Sequence, residues 1–435
     1  MKSNLLLTRG LLYLSLSQLL VVPTWSADEW KPKIDESSSS ELFEICHEIE
    51  VSAPSHFPKP TRLLNDPSVV IVAEPAFGKH RPDKDVVMAY AEGYALPYYM
   101  CFIETLRKTG FDGDIVLAIA DYPLLADNVL DYLKDQENVI LYIHELSCYD
   151  KYMVPSPRLM KRGSMDIFQM CHLNDVYGWR DNQGNVIKKA KDPRIGRVVA
   201  TLRYEWYWIW AMQYNSNSWI MLVDARDSFF QVDPFEGLPR NQNGLLYFFG
   251  ENAAATRLGI SKKNANWLRR SYGEKTLNAL KDKPTICSGS TMGEQVAIET
   301  YLRAMVNEWD ETDIHMTGAD QGFHNYLYYS GKLANSPSIS RLVVWEQGKG
   351  KINNLGALRT KPFSDWGFYN PATSEVYNWD GNLSPVVHQY DRDAHLHNRY
   401  VRQHFNRWKE EFKEKKKKVA EEKDLRFRAM VADVQ

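Results

Sequence analysis

The chain has 435 residues, 44% of them hydrophobic and 25% charged. That is enough apolar material for a sizeable core, and it excludes a disordered chain or a disulfide-stapled miniprotein. With 53 Lys and Arg against 55 Asp and Glu, no overall field attracts a polyanion, so nucleic acid is not expected as a partner. The 13 Trp, 24 Tyr and 17 Phe suit thick packed layers or stacking on flat ligands such as sugars and bases, and composition does not separate the two.

Taken in chain order, Lys2 and Arg9 precede an apolar run from Leu11 to Val22, then Pro23 and the small residues Ser26 and Ala27. This is the order of a secretory signal peptide cleaved near Ser26, with a weak signal anchor as the alternative. Ser15, Ser17 and Gln18 interrupt the run, which falls short of the ~20 apolar residues that cross a ~30 Å hydrocarbon layer. Both readings put the body of the chain in the secretory pathway, in the ER or Golgi lumen or secreted. Residues 27–67, with serines at 37–40 and several prolines, read as a linker or stem. Residues 68–396 read as one large α/β domain and 397–435 as a charged helical tail.

Within the domain, Val69 to Ala73 is a β-branched run of strand length, and Val86 to Thr109 has the length and spacing of a helix ended by Gly110. Asp114 to Ala120 reads as a strand, Leu124 to Lys134 as a helix and Val139 to Ile143 as a strand. This βαβαβ opening predicts a largely parallel central sheet flanked by helices. Lys161 to Pro193 reads as an excursion with a turn at residues 181–184. Val198 to Met212 is helical, and its Tyr204, Trp206, Tyr207, Trp208 and Trp210 occupy every face, which predicts burial rather than a stacking platform. Trp219 to Val223 is a buried strand, Gly244 to Phe249 and Thr285 to Cys287 are further strands, Asp320 to Tyr329 is a helix, and Val343 and Val344 form a short strand.

Five cysteines are an odd number for an oxidising compartment. Cys148 with Cys171 is the expected bridge, and no Cys-x-x-Cys or Cys/His cluster offers a zinc site. Asn382-Leu383-Ser384 is a glycosylation sequon that Pro385 disfavours.

The strand Trp219 to Val223 runs straight into Asp224 and Asp227, and ligands of open α/β sheets collect at the carboxyl ends of strands. Two carboxylates there suit Mn²⁺ or Mg²⁺, which takes one or two protein carboxylates and fills its other positions with phosphate oxygens and water. Their bland reading is a turn cap at Asp227 and an Asp224–Arg226 pair. Cys287-Ser288-Gly289-Ser290-Thr291-Met292-Gly293 permits close approach of backbone N–H groups to a ligand, or is simply a tight turn. Asp320 opens the helix Asp320-Gln321-Gly322-Phe323-His324-Asn325 as an N-cap or as an acid facing a sugar hydroxyl. His388 follows the apolar pair Val386-Val387 and is a structural histidine or a third cation ligand.

These motifs, D-x-R-D-x-x-F-Q-x-D-P-F after an apolar strand, S-G-x-x-x-G, D-Q-G-x-H-N and V-H-Q-Y-D, together resemble a GT-A-type nucleotide-diphospho-sugar glycosyltransferase over about residues 68–393. The resemblance implies a Rossmann-like GT-A fold and cation ligands at Asp224, Asp227 and His388. It also implies donor-sugar contacts at Ser288 and Gly289, with Gln321 beside them, and an acceptor-side acid at Asp320. The usual D-x-D spacing is replaced by D-x-x-D, with Arg226 between the acids. Arg203 either adds charge to the diphosphate or is an ordinary paired surface arginine, and Arg226 either reaches the diphosphate or braces the acidic loop. The implied partners are a UDP- or GDP-sugar and a glycan, protein or lipid acceptor. Two other classes fit the residues: a catalytically silent binding domain, which the altered acidic motif motivates, and a secreted glycoside hydrolase with two carboxylates across a sugar.

Overall fold

The computed structural model describes residues 31–33, 68–120, 127–149, 170–174, 176–187, 196–312, 314 and 316–432. The expected leader, Cys46 and nearly all of the expected stem lie outside the described residues, as do the first residues of the expected 124–134 helix and about half of the 161–193 excursion, whose described part forms three short strands. The first half of the chain forms β1 (Val69–Ile71), β2 (Val86–Tyr90), α1 (Leu96–Lys108), β3 (Asp114–Ala120), α2 (Asp127–Lys134) and β4 (Val139–His144). There follow β5 (Leu146–Tyr149), β6 (Met170–Leu173), β7 (Tyr177–Arg180), β8 (Val186–Ile187), α3 (Val199–Ala211) and β9 (Trp219–Val223). The second half forms β10 (Ser228–Phe230), β11 (Leu245–Gly250), α4 (Lys262–Leu280), β12 (Ile286–Glu294), α5 (Gln295–Thr312) and α6 (Ala319–Tyr329). It ends with β13 (Arg341–Trp345), β14 (Ile352–Asn354), β15 (Val386–His388), α7 (Ala394–His397) and α8 (Gln403–Ala432). No described helix is long and apolar enough to cross a membrane.

The molecule is built on a seven-stranded sheet of order β13-β11-β12-β9-β2-β3-β4, with helices on both faces. All neighbours run parallel except at β12, which is antiparallel to both β11 and β9. The sheet is therefore largely parallel, as expected, with one reversed strand that the βαβαβ opening does not foretell. Alternation along the strands divides the core in two. Val86, Met88, Ile220, Leu222, Leu246 and Phe248 face α3 and α5, where they meet Trp206, Trp210 and Tyr301. Val87, Ala89, Met221, Val223, Tyr247 and Phe249 face α1, where they meet Phe102, Ile103 and Leu106. Each large apolar side chain buried in these layers contributes about 1.5–3 kcal/mol before entropy is counted. The aromatic residues of α3 are buried, as their distribution over the helix predicts.

Three local expectations are corrected. The stretch 86–109 is not one helix: Val86–Tyr90 is a central strand, Gly93 turns the chain at φ 71, and α1 begins with Pro97 in its first turn. The run beginning at Val69 does form a strand, but it pairs with β7 in a separate three-stranded sheet rather than in the central one. Ser288 to Gly293 is not a turn, because β12 continues through it to Glu294. Cys148 and Cys171 are opposite each other on β5 and β6 and are bonded, while Cys101 and Cys287 are buried and free.

A third core cluster holds the site in place. β14, β15 and β10 form a small sheet, with β15 parallel to β14 and antiparallel to β10. Phe229, Val387, Leu355 and Tyr390 pack beneath it. This sheet carries His388 back to Ser228, its pairing partner, immediately after Asp227.

Candidate functional site

The site forms where the apolar strand β9 ends. Asp224 has extended backbone, and Ala225–Asp227 make one turn of 3-10 helix, so the two carboxylates straddle a tight corner rather than lie on one strand face. One oxygen each of Asp224 and Asp227 and one nitrogen of His388 lie within 4.8 Å of one another. His388 Nε2 is 3.7 Å from Asp224 Oδ2 and 3.6 Å from Asp227 Oδ1. These separations are too long for hydrogen bonds, and His388 Nε2 is a buried nitrogen with no hydrogen-bond partner. Its other nitrogen, Nδ1, lies 2.8 Å from Asn354 Oδ1 and so carries a hydrogen, which leaves Nε2 facing the carboxylates, free to take either a proton or a cation.

This donor set fits a divalent cation: two carboxylate oxygens and an imidazole nitrogen converge, and the imidazole is oriented from behind by an amide. The position of Gly289 on β12 shows how tightly the ligands are packed. A Cβ there would lie 2.7 Å from Asp224 Oδ2 and 2.9 Å from His388 Cε1, so only glycine leaves both ligands where they are.

Arg203 comes from α3, on the neighbouring layer, and its side chain is only 14% exposed. Its guanidinium donates from Nη1 to Asp224 Oδ1 and from Nη2 to Asp320 Oδ2, the latter at 2.7 Å. Burial alone would raise the Asp224 carboxyl, but Arg203 and His388 outweigh it and hold this group below the usual carboxylate range. At Asp320 burial outweighs Arg203, and its proton affinity is raised. At His388 burial disfavours the imidazolium, but the Cys287 thiol and the two carboxylates outweigh it and raise the proton affinity. Protons and a cation therefore compete for Nε2.

The other expected residues are placed as follows. Asp320 and Gln321 lie in the first turn of α6. Gln321 Oε1 accepts from the Ser288 backbone N–H at 2.8 Å and its Nε2 donates to the Ile286 carbonyl at 2.6 Å, so this side chain fastens α6 to β12. Ser288 Oγ lies 3.4 Å from Asp320 Oδ2. Arg226 lies 3.2 Å from Asp391 and 3.4 Å from Asp227 and braces the acidic corner. The structure thus brings Arg203, Asp224, Asp227, Ser288, Gly289, Asp320 and His388 together, with Gln321 beneath them and Arg226 at the rim.

Four further residues belong to this region to which the sequence assigns no role, although Asp391 closes the V-H-Q-Y-D motif. Asn354 orients His388, and Asp391 and Arg392 extend the charge network to Asp227, with Arg392 Nη2 at 3.6 Å. Tyr94, just beyond β2, is half-buried and close enough to the corner that burial first, then Asp224 and Asp227, raise its phenol. Its position after a strand end is the one signal that could have pointed to it.

Comparison with protein-family models finds no match, and neither does comparison with curated proteins. Among solved structures, the chain is similar to the galactosyltransferase LgtC in complex with donor and acceptor sugar analogs. Identity is 10% and TM-score 0.36, over 70% of this chain and 86% of that one. An active-site mutant of LgtC gives the same identity and coverage at TM-score 0.34. The apo bifunctional glycosyltransferase WbbM gives 10% identity and TM-score 0.34, over 72% of this chain and 46% of that one. The chain is similar to GT-A-type glycosyltransferases. At this degree of likeness, the chemistry rests on the geometry of the site itself.

Proposed function

We propose that the protein is a metal-dependent glycosyltransferase of the secretory pathway, moving a sugar from a UDP- or GDP-sugar to an acceptor with Mn²⁺ or Mg²⁺ bound. The observation that supports this reading is the convergence of Asp224, Asp227 and the partnerless His388 Nε2 at the carboxyl end of a central strand. A cation bound there would neutralise the diphosphate leaving group as the anomeric C–O bond breaks, and it needs no protonated side chain to do so. Asp224 and Asp227 hold it, and Asn354 keeps His388 in the tautomer that offers Nε2. Arg203 keeps Asp224 ionised and, through Asp320, fixes α6 against the same corner. Gly289 leaves the room the ligands need.

The test is a thermal-shift titration with UDP and GDP, each with and without Mn²⁺, on the wild type and on Asp224→Asn. A ligand that binds only the folded state stabilises it by about 2.7 kcal/mol at a hundred times its dissociation constant. The expected result is stabilisation by one nucleotide only when Mn²⁺ is present, and its loss in Asp224→Asn. Absence of any shift with both nucleotides would overturn the reading.

A further inference from the structure

Next to the cation corner, a cleft of about 280 Å³ opens between the end of β11 and the segment that follows β13. Its polar and aromatic lining is Glu251, Asn252, Glu346, Gln347, Lys349 and Trp379. The volume lies just below the roughly 300–1,000 Å³ of most small-molecule sites, which is room for one ring and not for a chain. The cleft adjoins the site through Asn354. The side chain that orients His388 also donates to the carbonyls of Phe249 and Gly250, at 3.0 and 3.3 Å, immediately before Glu251.

Most polar groups of the cleft are already occupied. Asn252 donates to Gln347 at 3.1 Å, Gln347 to Asn353 at 2.6 Å, Asn353 to Ser384 at 2.9 Å and Ser384 to Asn378 at 2.7 Å. Lys349 is paired with Glu346. The Trp379 indole N–H donates to the Gln347 carbonyl at 2.9 Å, and its ring meets Phe368 edge-on at 77°. The indole is thus held rigid with its nitrogen satisfied, and what it can offer a ligand is carbon surface. Glu251 is the contrast. Its backbone N–H is fixed on the Thr285 carbonyl at 2.8 Å, yet its carboxylate has no hydrogen-bond partner among the described residues. Burial, opposed by His388 and Arg359, pushes this carboxyl up to about 7.

The lining therefore makes three demands on an occupant. It needs an apolar face for Trp379 and a hydroxyl to satisfy Glu251. It must also lack negative charge, because the one lysine of the lining is already paired with Glu346 and is not free to answer an anion. A neutral pyranose meets all three, whereas a phosphate head group, an acidic sugar or a peptide carboxylate fails the last. We propose that this cleft is the acceptor subsite and that the acceptor is a neutral saccharide, its terminal ring on Trp379 and one ring hydroxyl donating to the Glu251 carboxylate. This rests on the transferase reading above and narrows its acceptor from glycan, protein or lipid to a glycan.

Saturation-transfer NMR on the full-length protein tests it, with methyl galactoside, methyl glucoside and methyl mannoside as neutral probes and methyl glucuronide as the charged one. Each is measured with and without UDP and Mn²⁺. At least one neutral pyranoside should bind, with affinity about tenfold weaker in Glu251→Gln and in Trp379→Ala, and the glucuronide should not bind. Trp379→Phe, which keeps an aromatic face, should retain more affinity than Trp379→Ala, and Asp224→Asn should bind the pyranoside like the wild type. The proposal falls if no neutral pyranoside binds under any condition, if binding is unchanged in both Glu251→Gln and Trp379→Ala, or if the glucuronide binds as well. Pyranoside binding without nucleotide binding would sink the transferase reading and leave the saccharide cleft standing. Nucleotide binding without pyranoside binding would do the reverse.

Discussion

Asp114 and Asp227 are buried carboxylates at opposite strand ends of one sheet, 0% and 4% exposed, and they have opposite fates. Asp114 begins β3 and is fully answered: Arg81 donates to it from its backbone N–H at 2.9 Å and from Nε at 2.7 Å, and the Tyr214 hydroxyl donates at 2.9 Å. His80 completes this network between Tyr214 and Tyr142, at 2.9 and 2.8 Å. Since Tyr214 gives its hydrogen to Asp114, it accepts from His80 Nδ1, and His80 Nε2 accepts from Tyr142, so the neutral imidazole saturates the cluster. At Asp227 the arginines Arg226 and Arg392 stand off at 3.4 and 3.6 Å from Oδ2, while Oδ1 faces His388 Nε2, which meets only carboxylates out of bonding range. Burial of charge is common to both places. What distinguishes the candidate site is lone pairs that the protein itself leaves unanswered.

The largest effect should come from exchanging one carboxylate for an amide at each end. Asp224→Asn or Asp227→Asn should cut turnover and Mn²⁺ affinity at least about 100-fold while the urea midpoint hardly moves. Asp114→Asn should instead cost about 2 kcal/mol of stability, less than the 3–5 of a fully buried pair because Arg81 is partly exposed. Its turnover per folded molecule should stay normal. If Asp114→Asn proved the more damaging to turnover, the contrast between the two ends would collapse.

Gly289→Ala sharpens the contrast without touching a ligand. The added Cβ must displace Asp224 Oδ2 or the His388 ring, so Mn²⁺ affinity should fall about tenfold, as read by titration calorimetry. Unchanged affinity would mean that the corner has slack.

The smallest effect is a pH dependence at the satisfied end. Burial, opposed by Asp114, lowers His80 to about 4 from its usual 6.5. A depressed histidine contributes stability that is present above about pH 6.5 and lost as pH falls from there through 4, because the unfolded chain takes up the proton first. His80→Gln should flatten the melting temperature over that window. A slope identical to the wild type would remove His80 as its cause.

The sequence showed part of this fold clearly. β3, β4, β9, α3 and α6 are legible because each is a continuous or periodic apolar run with a distinct end. The stretch from Val86 reads as a helix because a run such as Val-Val-Met-Ala-Tyr-Ala satisfies strand and buried helix alike, and only Gly93 and Pro97 mark where strand gives way to helix. β12 is hidden because its small residues look like a turn, when Gly289 among them is small to make room for Asp224 and His388. Asp224, Asp227 and His388 could be suspected from strand-end placement. Asn354, Arg392 and Glu251 could not, and Asp391 was visible only as the last residue of V-H-Q-Y-D, since their roles come from neighbours far along the chain.

The small sheet that seats His388 also sets an order in time. A chain made from its N-terminus completes the last strand of the central sheet at Trp345, and the third ligand is added only with β15. At the roughly 5–20 residues per second of synthesis, every strand of the central sheet and both carboxylates have been made several seconds before the imidazole. In that interval Arg203 has Asp224 and Asp320 to pair with but the corner has no third ligand, and competence to grip a cation arrives as a late, separate event in the birth of the molecule.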